Sequence, residues 1–473
     1  MNLKGIVRLP AKAGAWYVAS SAVIKLCGMS ATPYFTRVMS PEEYGRYSLY
    51  MSWLAMLSVL TTLGLGGSAI YRGMQKLDSR GNKILSSALG LALSSIALFS
   101  LFAILFPRGV SRLLGLPRQM VYLLILQIAL DSVITLYLSR SRYVYGYRLV
   151  IGVNVGSAIL ALGVSMLLSR FAESTAEMRA AALLFATAIF ALPLLIAAIF
   201  RERRIFSKNV WAFLLRFNLP LLPHLLAGTL MTNMDKVLIS RIVGESAVAG
   251  FSVAYSLGAG MNFITTGLIS ALSPWIMRKI AQSKQDRVAD VTLKLSALVA
   301  VGSLGVLTLA PEVLAFLAPS SYSSALPSVY PITITAAVSF ISSVTATALI
   351  RAERTGLLSL CSIVGAAVNV AANLLLLPIS FNGAALAHFA AAVASLTAGV
   401  IITGRLAGGA IVKALPSATV IAASALLSLI LYAIRDDLVS RLIILALLGL
   451  IAIACLFSLK DDVMESGKLK AEG

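Results

Sequence analysis

Two ionisable residues stand alone inside apolar stretches, and they are where the chain's chemistry has to start. Lys25 interrupts the run 15–34, and Asp131 interrupts the run 120–138. A charge placed in hydrocarbon costs ~2.5–3.5 kcal/mol on insertion scales unless a cavity or a partner receives it. At ~1.5 Å per residue both lie about 12 Å from the inner ends of their helices, a depth at which they can pair. Two readings follow, a structural Lys25–Asp131 pair and a substrate or ion site. Arg216 and His224 form a second group, beside Pro220 and Pro223. Two prolines remove backbone donors and clash with the preceding turn, so this helix is predicted to bend near its inner end. Arg216 is then either a bidentate partner for phosphate oxygens or an arginine snorkelling to the interface. His224 and His388 read as contacts between helices. Gln127, Asn154, Asn218, Asn233, Asn262, Asn369 and Asn373 can bond sugars, but polar groups in spans seek helix partners regardless.

The elements that must position these groups are transmembrane helices. Of 473 residues, 59% are hydrophobic and 12% charged, and runs long enough to cross ~30 Å of hydrocarbon recur throughout. The chain is read as an all-α polytopic membrane protein with fourteen spans, near 15–38, 46–71, 84–106, 119–139, 147–169, 179–200, 212–241, 247–276, 291–310, 328–350, 357–377, 383–404, 414–434 and 440–459. No connection is long enough for a soluble domain. The net charge of +20 does not point to nucleic acid, because the basic residues sit in short corners. Cys27, Cys361 and Cys455 fall inside apolar runs, with neither disulfide nor metal spacing. Lys4, Arg8 and Lys12 before an apolar run resemble a secretory signal, but Lys25 and the many later spans favour a retained first helix.

Orientation follows from the basic corners. With a cytoplasmic N-terminus the inside holds Lys4, Arg8 and Lys12; Arg72, Lys76, Arg80 and Lys83; Arg140, Arg142 and Arg148; and Arg201, Arg203, Arg204 and Lys208. It also holds Arg278, Lys279, Lys284, Arg287 and Lys294; Arg351 and Arg354; Arg405 and Lys413; and Lys460, Lys468 and Lys470. That is about 26 inside against about 11 outside, with both termini cytoplasmic. The exterior corner Arg108/Arg112/Arg118 runs against the trend. Arg140, Arg142, Arg148, Arg278, Arg351 and Arg354 line the inner mouth, as anchors or as attractors of an anionic head.

An internal repeat organises the whole. Arg37 opens a stretch whose Gly45–Leu49 and Thr61-Thr62 return about 204 residues later, from Arg241, as Gly250–Val253 and Thr265-Thr266. The corner Arg140–Gly146 similarly returns as Arg351–Gly356. Both repeats start inside, so two parallel six-helix bundles are expected, 1–206 and 207–410, with two extra helices and a cytoplasmic tail in 411–473. Arg37, Gly45, Asp235, Lys236, Arg241 and Gly250 are the corner residues of that repeat, and the charged ones read as locks between corners.

These residues resemble the polysaccharide-exporter branch of the multidrug/oligosaccharidyl-lipid/polysaccharide (MOP) exporter superfamily, which includes the Wzx-type O-antigen flippases. The matching pieces are Arg37, Ser40-Pro41-Glu42-Glu43 and Tyr44-Gly45; Leu63-Gly64; Asp235-Lys236 with Ser240-Arg241; and Asn369, Asn373, Pro378 and Gly383–Ala387. Gly244-Glu245-Ser246 departs from the family pattern where a second proline turn is common. The resemblance implies a multi-pass protein of the bacterial inner membrane that moves an undecaprenyl-diphosphate-linked oligosaccharide to the outer leaflet, for O-antigen, capsule or exopolysaccharide assembly. Partners would be this lipid-linked saccharide, the membrane lipids, and the polymerase and glycosyltransferases of the same pathway. The head needs a cationic cavity, for which Lys25, Asp131, Arg216, His224, Arg142 and Arg148 are the candidates and Pro220 with Pro223 the hinge. No cofactor is expected: there is no phosphate-binding G-x-x-x-x-G-K-[ST] loop and no zinc-type cluster with two histidines. Asp436-Asp437 and Asp461-Asp462 read as solvated charge. The rival readings are a cation-coupled multidrug exporter, for which Asp131 and Asp235 would be the acidic groups, and a membrane-embedded polymerase, which would need a large external loop.

Overall fold

The computed structural model describes residues 3–66, 68–77, 82–201, 206–406 and 411–468, with side chains placed for all of these except 3–15, 18, 68, 69, 201 and 458–468. The side chains of Lys4, Arg8, Lys12, Arg80, Arg201, Arg203, Arg204, Lys460, Asp461, Asp462, Lys468 and Lys470 therefore lie outside the described set. Among the described residues every regular element is a helix. Contacts divide the chain into two units, 1–249 and 250–473.

Unit 1 begins with α1 (Leu3–Val38), α2 (Pro41–Thr61) and α3 (Ser68–Leu77). It continues through α4 (Asn82–Leu105), α5 (Pro107–Leu114), α6 (Arg118–Tyr143), α7 (Tyr147–Leu168) and α8 (Ala176–Arg201). It closes with α9 (Lys208–Asn218), α10 (Leu222–Ile242) and the first turn of α11 (Glu245–Ala281). Helix α2 starts where its sequence says it should. Ser40 caps it, its Oγ accepting from the Glu43 amide at 3.2 Å, with Pro41 at the first position and Glu42 and Glu43 in the first turn. A missing proline donor costs nothing there, and two carboxylates meet the positive end of the helix dipole.

The expected continuous helix 46–71 is not one helix. It stops at Thr61 because Leu63 (φ 54°) and Gly64 (φ 64°) turn left-handed, and the Gly64 amide reaches back to the Val59 carbonyl at 3.1 Å. This is the hydrogen-bond pattern that ends helices, and glycine adopts its conformation without steric cost. The chain restarts as α3, whose Ile70 and Met74 enter a core with Ile84, Leu85, Tyr137 and Leu214. A second core joins α2, α6 and α8 through Tyr50, Leu54, Leu124, Ile128 and Ala180. Helices α9 and α10, which open the second repeat in the sequence reading, pack inside unit 1: α9 on α3 and α4, α10 on α2.

Unit 2 takes the rest of α11, then α12 (Gln285–Thr308), α13 (Ala310–Leu317), α14 (Leu326–Arg351), α15 (Thr355–Leu376), α16 (Gly383–Leu406), α17 (Ala414–Ala433) and α18 (Leu438–Lys468). Helix α14 is its central post. It is rich in alanine, serine, threonine and valine and buried on nearly every face, as a helix apolar all round must be. Helices α12, α16 and α17 surround it. Small residues allow such close approach where lipid supplies no hydrophobic drive to association. Gly250 packs within this unit, against Ala325 and Phe381.

By length and hydropathy, eleven helices among the described residues can cross a membrane, or twelve when α9 and α10 are taken as one bent span. The expected count was fourteen. The two segments outside the twelve are 15–38, which is helical but carries Lys25, and 46–71, which the break at Leu63–Gly64 divides.

Candidate site: a cavity at the broken helix of unit 1

A cavity of about 560 Å³ opens in unit 1 where three interruptions meet. Its walls are α2 (Met51, Leu54, Ala55, Ser58, Val59, Thr62), the break (Gly64, Gly66), α6 (Asp131, Ser132, Thr135, Leu136) and the start of α10 (Leu221, Leu225). Each wall has a local cause. The left-handed turn after Thr62 ends α2, and the amides of Thr62, Leu63 and Gly64 take up the carbonyls of Ser58, Leu60 and Val59. Gly66 fits tightly against Thr135, so that a Cβ there would overlap the threonine methyl. The Gly66 carbonyl accepts from Ser139 Oγ at 2.7 Å, which ties the break to α6. Across the cavity, α9 and α10 meet at a 55° bend beside Pro220 and Pro223.

Asp131 is the one charged group in this lining. Its Oδ1 accepts from Gln127 Nε2 at 3.0 Å. The same amide nitrogen donates to Thr187 Oγ1 at 2.9 Å, which fixes Gln127 and through it the carboxylate. Ser132 and Thr62 donate their hydroxyl hydrogens to carbonyls of their own helices, Ala129 and Ser58. Their oxygens therefore meet the cavity as acceptors.

The sequence candidates divide sharply around this cavity. Asp131 lines it, and the bend at Pro220 and Pro223 adjoins it through Leu221 and Leu225. His224 is half-buried on the first turn of α10. Lys25, Arg142, Arg148 and Arg216 are exposed on unit 1 and do not line it. The Lys25–Asp131 pair does not form: among the described residues no ion pair within 4.0 Å joins them. Lys25 is exposed on α1, whereas Asp131 lines the cavity with Gln127 as its partner.

The corner residues are structural joints. Gly45 is buried against the Glu245 backbone so closely that a Cβ would overlap its carbonyl. Beside it, Arg46 grips Glu245 in a fork, Nη2 to Oε2 at 2.9 Å and Nε to Oε1 at 3.3 Å, and also pairs with Glu43. Glu43 in turn accepts from the Ala176 amide at 2.7 Å, at the start of α8. Arg241 reaches the last carbonyls of α5, those of Arg112 and Leu113, where a cation complements the helix dipole. Arg37 bonds the Pro33 carbonyl of its own helix at 2.7 Å. Asp235 is buried and Lys236 half-buried on α10.

Of the polar residues read as sugar or helix contacts, Gln127, Asn233 and Asn373 bond within helices or to a neighbour inside their own unit. His388 stands edge-on to the Tyr255 ring, 5.7 Å between centroids. Ser58, Ser132, Thr135 and Gly66 are not singled out by the sequence. Thr61-Thr62 reads there as a repeat marker and Leu63-Gly64 as part of the family resemblance, neither as a break.

A chain of long apolar helices, two of them interrupted around an inward-facing carboxylate, belongs architecturally with helical membrane transporters, and it is a multi-pass membrane protein. It has the fold of the lipid II flippase MurJ in its inward closed conformation (TM-score 0.70, 12% identity, 93% of this chain and 98% of that one). It also matches an inward-facing multidrug resistance MATE family transporter of the MOP superfamily (TM-score 0.62, 14% identity, 85% and 95%). An outward-facing MATE transporter matches with a TM-score of 0.58 (13% identity, 85% and 95%). No curated protein sequence matches the chain. The polysaccharide biosynthesis protein family matches over residues 11–279. The chain belongs to that family, and so to the MOP exporters that the motifs from Arg37 to Ala387 resemble.

Proposed function

We propose that this protein is a flippase that carries a lipid-linked oligosaccharide, anchored on undecaprenyl diphosphate, from the inner to the outer leaflet of the bacterial inner membrane. Membership of a polysaccharide biosynthesis family, on a fold that a lipid II flippase shares over nearly its whole length, is the observation that carries this reading. The physics of the cargo agrees with it. The tail is already soluble in hydrocarbon, so the protein has only to shelter a charged, hydrated head, and no bond need be made or broken. Alternating access supplies that shelter, with both termini cytoplasmic and the two bundles of the repeat rocking about the head. In this reading the exposed cations of unit 1, Lys25, Arg142, Arg148 and Arg216, attract the diphosphate, and the Pro220–Pro223 bend is the hinge. The product then feeds O-antigen, capsule or exopolysaccharide assembly, where a polymerase and glycosyltransferases act on the same carrier.

Reconstitution in proteoliposomes with an undecaprenyl-diphosphate oligosaccharide tests this directly. Outward movement, read by access of an impermeant sugar-modifying enzyme, is expected with the wild-type chain and lost with Lys25→Ala at unchanged folding. Absence of movement with the wild type would end the proposal, and normal movement with Lys25→Ala would remove that residue from it. A cation-coupled multidrug exporter is the second reading, favoured by Asp131 in the cavity and by the MATE-like fold. Drug resistance conferred on a sensitive strain, with no effect on surface polysaccharide, would replace the first reading by this one.

A further inference from the structure

We infer that α5 and the exposed flank of α4 form a docking surface for an anionic phospholipid of the bilayer, its phosphate on the arginines of α5 and an acyl chain along α4. The charge pattern is the first observation. Arg118 opens α6 and Arg142 lies near its end, roughly 36 Å away at ~1.5 Å per residue. One helix therefore carries arginines at both ends, and the preference of basic residues for the cytoplasmic face explains only one of them. At the α5 end the cations have no protein partner. Arg108, Arg112 and Arg118 are exposed. Among the described residues none of them makes an ion pair or donates a side-chain hydrogen bond.

The helix that presents them is firmly held. Val110 and Leu114 bury its inner face. The Ser111 carbonyl accepts from the Gly115 amide at 2.9 Å, those of Arg112 and Leu113 accept from Arg241, and that of Leu114 accepts from Trp53 Nε1 at 2.7 Å. The carbonyls at the end of α5 are thus all taken, and Arg108 and Arg112, one turn apart, stand on a fixed base. The apolar flank is the third observation. Leu98, Leu101, Phe102 and Leu105 recur at spacings of three and four along α4, which puts them on one face, and each is more than half exposed. A row of exposed apolar side chains that ends at unpaired arginines matches a lipid molecule, chain first and phosphate last. Guanidinium forks take phosphate oxygens in pairs. Neither α4 nor α5 contributes to the cavity at the broken α2, which sets this surface apart from the candidate transport site. Its occupant is a phospholipid of the surrounding bilayer, whatever the protein carries.

The test uses the full chain in phosphatidylcholine nanodiscs doped with a phosphatidylglycerol that carries a photoreactive acyl chain. Cross-links are mapped by mass spectrometry. Labelling of residues 98–106 is expected, competed more strongly by unlabelled phosphatidylglycerol than by added phosphatidylcholine, with the preference weakened by salt. Arg108→Gln, Arg112→Gln and Arg118→Gln together should abolish that preference, each arginine contributing up to about fivefold, while labelling beside the basic corner at the other end of α6 stays as in the wild type. If the triple variant does not fold, Arg108→Gln alone decides the matter, because that exposed side chain makes no bond within the protein: reduced selectivity supports the surface, and unchanged selectivity overturns it. A wild type without the preference, or a preference that survives the triple change, also overturns it. So does stronger competition by undecaprenyl diphosphate than by phosphatidylglycerol, because the surface would then belong to the cargo. None of these readouts requires flipping, so failure of the transport reading leaves the docking surface standing, and its own failure leaves the transport reading untouched.

Discussion

Unit 1 and unit 2 are built from the same material and treat their interiors differently. Unit 1 interrupts two of its helices, at Leu63–Gly64 and at Leu219–Leu221, and keeps a cavity with a carboxylate and several hydroxyls in its lining where those interruptions meet. Unit 2 surrounds an unbroken α14. Two cavities in it, of about 410 and 540 Å³, lie along α16 and α17 and are lined mostly by apolar side chains such as Ile334, Leu386, Phe389, Val393 and Ile421. Charge in unit 2 is spent at helix ends instead. Arg441 at the start of α18 is buried, donates to the Thr308 carbonyl at 2.6 Å, and forks onto Glu312 of α13 at 2.8 and 2.5 Å. Lys413 pairs with Asp290 at 2.5 Å where α17 begins. The contrast teaches that a membrane bundle can use ionisable groups to clamp helices or to furnish a cavity, and that an interrupted helix marks the second use.

The comparison can be broken most forcefully at Arg441. Replacing it by methionine strands the Thr308 carbonyl and Glu312, and should destabilise unit 2 by about 3 kcal/mol, less than a fully buried pair because Glu312 is half-exposed. Thermal unfolding checks the size, and transport assays check that any loss of activity follows loss of folded protein. The same clamp has a pH signature. Bonding to Arg441 holds the Glu312 carboxyl below its ordinary value of 4.5. A depressed carboxyl stabilises the fold above its unfolded pKa and loses that contribution as pH falls through the folded one. The stability gap between wild type and Glu312→Gln should therefore be constant at neutral pH and shrink below about pH 4.5. A gap that widens on acidification would show that Glu312 acts through something other than Arg441.

Unit 1 offers the next largest effect. Gly64→Val puts a β-branched residue at φ 64° and against Leu225, which should cost about 2 kcal/mol and close part of the cavity. A variant as stable as wild type would mean that the break is not held by Gly64. Smallest is Ser40→Ala, which removes one cap from α2 and should cost about 1 kcal/mol, read by thermal unfolding. A loss as large as that of Gly64→Val would show that the cap holds more than the first turn of α2.

How much of this was legible in the sequence depends on whether the signal was local. The N-terminus of α2 was readable from Ser40-Pro41-Glu42-Glu43 because cap, proline and acidic first turn all sit within four residues. The apolar runs gave helix positions, and the proline pair drew attention to the segment that turns by 55°. The end of α2 was hidden because leucines flank Gly64 and hydropathy continues across the break. Depth alone suggested Lys25 with Asp131, but depth does not fix the face: Asp131 lines the cavity and Lys25 does not. The Arg441 clamp had no local mark at all, since Glu312 lies 129 residues earlier. Ser132 and Thr135 became site residues only when Asp131 beside them met a glycine break about 65 positions upstream.

The proline at 220 has a mechanical consequence of its own. Helix α9 is seated on α3 and α4, and α10 on α2, so one stretch of chain answers to two sets of neighbours. An unbroken rod would transmit twist from one seat to the other through its ladder of hydrogen bonds. With the ladder cut near Leu219–Leu221, the two pieces can turn about each other as the arms of a universal joint do, and torque applied at one seat is not delivered to the other.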